Sequence, residues 1–286
     1  MKYFITGILF LFFTYALEAQ SFTPKIFCFE DAFLEYHTND PVFQANLIKK
    51  LGFDGMELMG LDGIEEKTMA LDKAALQLFM VYIAIDLDSR TPYDSRLFDF
   101  IKKMDHKGVS LWLHILSKKI PPSDSAGDAL CVPIIQQIAD KALQHGVKIA
   151  LYPHTSFWLE NIDDSYRVAE KVNRINVGAV FNLCHYLKVD DKLKLEEKLT
   201  RVMPLLSAVS INGADDGETN QMEWDRLIQP LGDGSFNVLS VLQILKKNHY
   251  TGPIGLQCFG IPGNPEDFLA RSMDTWKSFI TKGLKD

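Results

Sequence analysis

From residue 25 onward the chain alternates short apolar runs with amphipathic stretches. The runs KIFCFE, GMELMG, LFMVYIAIDLD, SLWLHIL, KIALYPH, VGAVFNLCHYL, SAVSINGAD and GPIGLQCFG read as strands. Between them lie helical patterns. PVFQANLIKKLGF carries Pro41 at its start and Gly52 at its end, the usual helix punctuation. DALCVPIIQQIADKALQHG ends in Gly146, and IDDSYRVAEKVNR opens with acids and closes with bases, as the helix dipole favours. SFNVLSVLQILKKNHY and EDFLARSMDTWKSFITKGL follow the last two strands. This order predicts an α/β fold, a single (β/α)8 TIM barrel. A doubly wound open sheet is the alternative, but no glycine fingerprint follows the first strand.

Strand side chains alternate with period two, so parity predicts which of them face the barrel axis. Val81, Ile83 and Ile85 form an aliphatic face suited to the helix layer, which turns Tyr82, Ala84 and Asp86 inward. The same rule turns Cys28 and Glu30 inward on the first strand and Glu57 on the second. It selects Trp112 and His114 on the fourth, Tyr152 and His154 on the fifth, Asn182 on the sixth, Asn212 on the seventh and Gln257 on the eighth. Each strand then brings a polar residue to its C-terminal end, where barrel enzymes hold their active sites. A satisfied hydrogen bond in the core explains any one of them. A whole ring, at about 1–3 kcal/mol for each unpaired group, calls for a ligand. Acids, amides, histidines and a tyrosine, with Trp112 and Trp158 nearby, match a hydroxyl-rich ligand such as a sugar.

Composition narrows the partners. The 286 residues carry a net charge of −7 with no basic block, which argues against nucleic acid. The opening MKYFITGILFLFFTYALEAQ has one lysine, a short apolar core and a small-polar end. It predicts a signal peptide over residues 1–20 and a mature barrel over 21–286, hence a periplasmic or secreted protein. The apolar core is shorter than a membrane span needs, so no stable anchor is expected. Cys28, Cys131, Cys184 and Cys258 lack metal-knuckle spacing and read as buried free thiols. Oligomeric state is left open.

The motifs LGFDGMEL, GVKIALYPH, FNLCH, SINGAD and LGDGSFNVLSVLQILKKNHYTGPIGLQ, in that order, resemble the xylose isomerase-like barrel superfamily. It contains sugar isomerases and epimerases, inosose dehydratases and zinc-dependent endonucleases of the type IV class. The resemblance covers the chain from about Lys25 to Leu284. It implies that the family's four metal-ligand positions fall on Tyr152, Asn182, Asn212 and Gln257, where metal-dependent members carry Glu, Asp, His and Glu. Neutral amides are weak ligands for a hard cation, so no cofactor is expected at this site. A divalent metal held by His114, His154 and His185 is the alternative.

The resemblance and the ring together predict an exported sugar isomerase or epimerase-like enzyme using metal-independent acid–base proton transfer on a small carbohydrate. His154, His185, Glu57 and Tyr152 are the candidate catalytic residues, with the histidines as proton carriers and the Tyr152 hydroxyl as an oxyanion donor. Glu30, Asp86, Trp112, His114, Asn182, Asn212 and Gln257 are candidates for substrate binding. A keto-glycoside lyase or hydrolase, and a non-catalytic sugar-binding protein, are the alternative functions.

Overall fold

A computed structural model describes residues 22–36 and 40–284, so the predicted signal peptide lies outside the described residues. Eight parallel strands close into a barrel in sequence order. They are β1 (Ile26–Phe29), β2 (Gly55–Met59), β3 (Gln77–Asp86), β4 (Ser110–Leu116), β5 (Lys148–Leu151), β6 (Val177–Asn182), β7 (Leu206–Ile211) and β8 (Ile254–Leu256). Helices α1 (Pro41–Leu51), α2 (Ile64–Lys73), α3 (Leu97–Lys103), α4 (Asp128–Leu143) and α5 (Ile162–Val172) cover the first half. They are followed by α6 (Leu183–Val189), α7 (Leu195–Val202), α8 (Trp224–Leu227), α9 (Val238–Lys247) and α10 (Pro265–Ser278). The predicted punctuation holds in α1. Asp40 caps it by accepting from the Val42 N–H, and Gly52 closes it at φ 92°.

Several predicted runs outlast their strands, and one of them changes into a helix. VGAVFNLCHYL stays extended only to Asn182, after which LCHYL turns into α6. A mostly apolar run carries little period to separate a buried strand from a buried helix. The consequence is functional, because the turn brings His185 back over the barrel mouth.

Inside the barrel, Phe27, Phe29, Phe79, Met80, Trp112, Ala150, Tyr152, Val180 and Ala208 form a separate core, enclosed by the larger core between strands and helices. The parity expected for β1 is therefore reversed. Phe27 and Phe29 point inward, whereas Cys28 faces the helix layer. Phe27 stacks on Phe79 at 5.1 Å, and Trp112 meets Phe29 edge-on at 5.2 Å. Gly255 of β8 makes room for this plug: a Cβ there would lie 2.4 Å from the Phe29 ring and 2.6 Å from that of Phe27. The four cysteines are free and buried, as expected.

Candidate active site

The aromatic plug closes the lower barrel, and a cavity of about 430 Å³ opens above it at the C-terminal ends of the strands. Of the residues predicted for the site, Glu57, Tyr152, His154, His185 and Gln257 line this cavity together. Asn182 lies directly behind Tyr152, and its amide N–H donates to the tyrosine hydroxyl.

Tyr152 follows the last residue of β5, and Pro153 does not disturb its inward direction. The ring is buried against Trp112 at 5.0 Å and meets Tyr82 edge-on at 5.1 Å. Its hydroxyl is the centre of a small network whose polarity is fixed by backbone and thiol donors. Gln257 Oε1 accepts from the N–H groups of Cys258 and Phe259, at 2.8 and 3.0 Å. The Gln257 NH2 is thereby turned toward the Tyr152 hydroxyl, 3.5 Å away. Asn182 Oδ1 accepts from the Cys184 thiol at 3.1 Å, so its NH2 also faces the phenol. The phenol oxygen accepts from both amides, and its own proton has no acceptor among the described residues. Burial, reinforced by neighbouring Tyr82, raises the phenol pKa well above its usual value, so the group stays a neutral donor.

The two histidines meet beside it, with ring centroids 4.1 Å apart. His154 Nδ1 lies 2.9 Å from the Thr155 carbonyl, which can only accept. Nδ1 therefore carries the hydrogen, and Nε2 keeps a lone pair. His185 Nδ1 accepts from the Thr155 N–H at 3.3 Å and lies 3.0 Å from Thr155 Oγ1, which places the neutral ring's hydrogen on Nε2. Burial lowers the pKa of both, that of His185 well below the ordinary range, with His154 adding to the effect. Both are thus neutral near pH 7, one presenting a base and the other an N–H donor.

Two carboxyls form the opposite wall. Glu57 projects from the middle of β2, and Asp31 stands two residues past the end of β1. Burial raises the pKa of Asp31 to about 8 and that of Glu57 well above its usual range, each helped by the other acids nearby.

The remaining predicted residues fall elsewhere. Glu30 is not an inward strand residue: β1 ends at Phe29, and Glu30 opens a 3₁₀ turn (Glu30–Tyr36), pairs with Lys67 at 2.5 Å and accepts from the Met59 N–H. Asp86 accepts from the Asp88 N–H in the loop after β3, away from the cavity. Trp112 belongs to the plug beneath Tyr152. His114 stacks on Tyr82 at 3.9 Å in the layer behind the wall. Asn212 is fully buried and spends its NH2 on the carbonyls of Gly213 and Leu227. Trp158 is also fully buried, donating to the Asp124 carbonyl. Parity gave no sign of Asp31, nor of the rim residues Phe157, Trp224 and Phe259, which loops and the short α8 deliver to the cavity.

The four positions that resemblance assigns to a metal do not fit one. Asn182 and Gln257 aim N–H groups at the protonated Tyr152 hydroxyl, and Asn212 is fully buried outside the cavity lining. A cation needs lone pairs there. Nor do His114, His154 and His185 gather as a ligand set: among the described residues, no three His, Cys, Asp or Glu side chains are grouped to hold a metal.

Comparison with known proteins agrees with this architecture. A stretch of 135 residues is 27% identical to inosose isomerase of Halalkalibacterium halodurans and spans 45% of each chain, so less than half of that protein is matched. Among solved structures, an IOLI protein with a bound zinc atom superimposes with a TM-score of 0.71 at 17% identity, over 92% of this chain and all of the other. The 3-keto-D-glucoside 4-epimerase of E. coli gives 0.70 at 17% identity, over 90% and 100% of the two chains. The D-psicose 3-epimerase of Clostridium cellulolyticum, solved with D-tagatose, gives 0.67 at 14%, over 90% and 99%. The profile of the xylose isomerase-like TIM barrel family matches residues 45–279, and the chain belongs to that family.

Proposed function

We propose that this protein is an exported enzyme of the isomerase or epimerase type that moves a proton next to the carbonyl of a small carbohydrate without a metal ion. The observation that carries the reading is the Tyr152 hydroxyl, held by two amide donors with its own proton unclaimed at the cavity wall. Removing a proton next to a carbonyl places negative charge on the carbonyl oxygen. A donor already oriented toward that oxygen stabilises the charge without reorganising, and such donors typically contribute about 3–4 kcal/mol. Tyr152 fills the role that an ion fills in metal-dependent relatives. His154, neutral with a free Nε2, is suited to accept or relay a proton, and His185 to donate one. The rings of Phe157, Trp224 and Phe259 offer apolar faces to a sugar's C–H surface. The activities of the structural relatives named above, an epimerase of a keto-glucoside and one of a ketohexose, support this substrate class. The charged start and short apolar core of residues 1–20 support export.

The test is product analysis by NMR with ketohexoses, inosose and 3-keto-glucosides, using metal-replete and chelator-treated protein. Equal turnover of one of them in both samples is expected. Release of a free alcohol from a keto-glycoside would replace isomerisation by a lyase or hydrolase reaction. Binding without turnover of any probe would leave a sugar-binding protein.

A further inference from the structure

Asp31 and Glu57 are the least compensated groups in the cavity. Phe29 of β1 pairs in register with Glu57 of β2, so the chain that passes Phe29 carries Asp31 to the same wall. Both side chains are almost fully buried, with 2% of Glu57 and 6% of Asp31 exposed. Each has one oxygen anchored to a backbone N–H: Glu57 Oε2 to Glu30 at 3.2 Å, and Asp31 Oδ1 to Cys258 at 3.3 Å. The second oxygens, Glu57 Oε1 and Asp31 Oδ2, have no partner among the described residues. Among the described residues no lysine or arginine lines the cavity, and Lys67, the cation felt by Glu57, is held by Glu30. Two buried acids that line one cavity without a countercharge disfavour each other's ionisation.

We propose that Asp31 and Glu57 act as one acid–base pair on the ligand, and that the ligand is an uncharged carbonyl sugar rather than a phosphorylated or carboxylated one. The proposal rests on the proton-transfer reading above and specifies its base and its substrate class. With one proton on the pair, the form reached as pH rises toward the Asp31 value of about 8, the ionised carboxylate removes the proton from the carbon next to the carbonyl. The C–H electron pair becomes the new C=C bond, and the carbonyl π pair moves to oxygen, where the Tyr152 hydroxyl meets it. The carboxylic acid of the pair then returns a proton to carbon, and the pair ends with the proton count it began with. A phosphate or carboxylate on the ligand would face two acids and no cation, which argues for the uncharged class.

Two measurements test this on the full mature chain. The first follows the carboxyl carbons of 13C-labelled Asp and Glu by NMR across pH, in wild type and in Asp31→Asn and Glu57→Gln. Coupled titration is expected, with the Glu57 step moving to lower pH in Asp31→Asn; an unmoved step overturns the pair. The second follows deuterium uptake from heavy water into D-tagatose, D-psicose, a methyl 3-keto-glucoside and the 6-phosphates of the two ketohexoses. Wild type is expected to label at least one free sugar, at least 100-fold faster than the phosphates, and each variant to lose at least 100-fold of that rate. Wild-type exchange rates in both variants overturn the pair while leaving the isomerase reading intact. Coupled titration without exchange on any probe overturns both the catalytic assignment and that reading. Faster exchange on the phosphates overturns the substrate class alone.

Discussion

Replacing Asp31 by asparagine should make the protein more stable, by an amount that depends on pH. In the folded chain Asp31 keeps its proton up to about pH 8, against 3.8 for an ordinary aspartate. Between those values the unfolded chain has lost a proton that the folded chain holds, so this group's contribution to stability falls as pH rises from about 4 to 8. At pH 7 the difference from 3.8 corresponds to a penalty on the order of 4 kcal/mol, and at pH 4 to almost none. An amide has no charge to bury, and its oxygen can still accept the Cys258 N–H that Asp31 Oδ1 now accepts. Asp31→Asn should therefore unfold at a higher urea concentration than wild type at pH 7 and at nearly the same one at pH 4, while losing activity at both. Comparing the two chains at each pH cancels every other titrating group except those coupled to Asp31. Removing its repulsion of Glu57 acts in the same direction. Equal destabilisation at both pH values would mean that Asp31 serves the fold as an ordinary hydrogen-bonded carboxylate, and the case for a stored proton would fall.

Other perturbations follow from the same geometry. Tyr152→Phe should lower activity by about 10²–10³-fold and also destabilise the fold by about 1–3 kcal/mol, because it strands the Asn182 and Gln257 N–H groups; thermal melts and activity assays read the two effects separately. His114→Phe keeps a ring on Tyr82 and removes a buried Nδ1 that has no partner. Burial lowers the His114 pKa from 6.5 to about 3, so the unfolded chain takes up a proton first as pH falls. The variant should thus gain about 2 kcal/mol over wild type at pH 5 and less at pH 8, as measured by urea unfolding. His154→Ala, at the half-buried rim, should lower turnover with an unchanged melting temperature, and full retained turnover would take His154 out of the proton path. N-terminal sequencing of the protein from its native envelope should begin near residue 20 or 21, whereas an intact Met1 in the membrane fraction would mean an anchor.

The barrel was legible because eight apolar runs separated by amphipathic stretches admit few other folds, and parity was sound wherever one face of a strand was visibly different from the other. Val81, Ile83 and Ile85 against Tyr82 is such a case, and so is Ile149 and Leu151 against Tyr152. On β1 both faces are apolar, with Ile26 and Cys28 alternating with Phe27 and Phe29, and the inward face was assigned from Glu30, a residue that has already left the strand. That single slip hid Asp31, since alternation says nothing once the backbone turns into a 3₁₀ helix. His185 entered as a candidate proton carrier and alternative metal ligand, but its path to the mouth depends on a strand-to-helix switch that a mostly apolar run does not announce. The rim aromatics arrive from loops and a four-residue helix, placed by tertiary packing alone.

Three of the four residues at the expected ligand positions, Tyr152, Asn182 and Gln257, form a matched set rather than separate losses. A carboxylate cage turns lone pairs toward a cation. Here Asn182 and Gln257 turn N–H groups toward a phenol oxygen, and their carbonyl oxygens are occupied by the Cys184 thiol and by the N–H groups of Cys258 and Phe259. The inward polarity of the cage is inverted, and Tyr152 is the one side chain at these positions that can accept from both amides and still donate outward. Each member depends on the others. A carboxylate in place of Tyr152 would have its lone pairs taken by the two amides, and either amide turned into a carboxylate would compete for the phenol proton that the cavity presents to its ligand. Across the cavity, no lysine or arginine among the described residues stands beside Asp31 and Glu57, so burial favours their protonated forms.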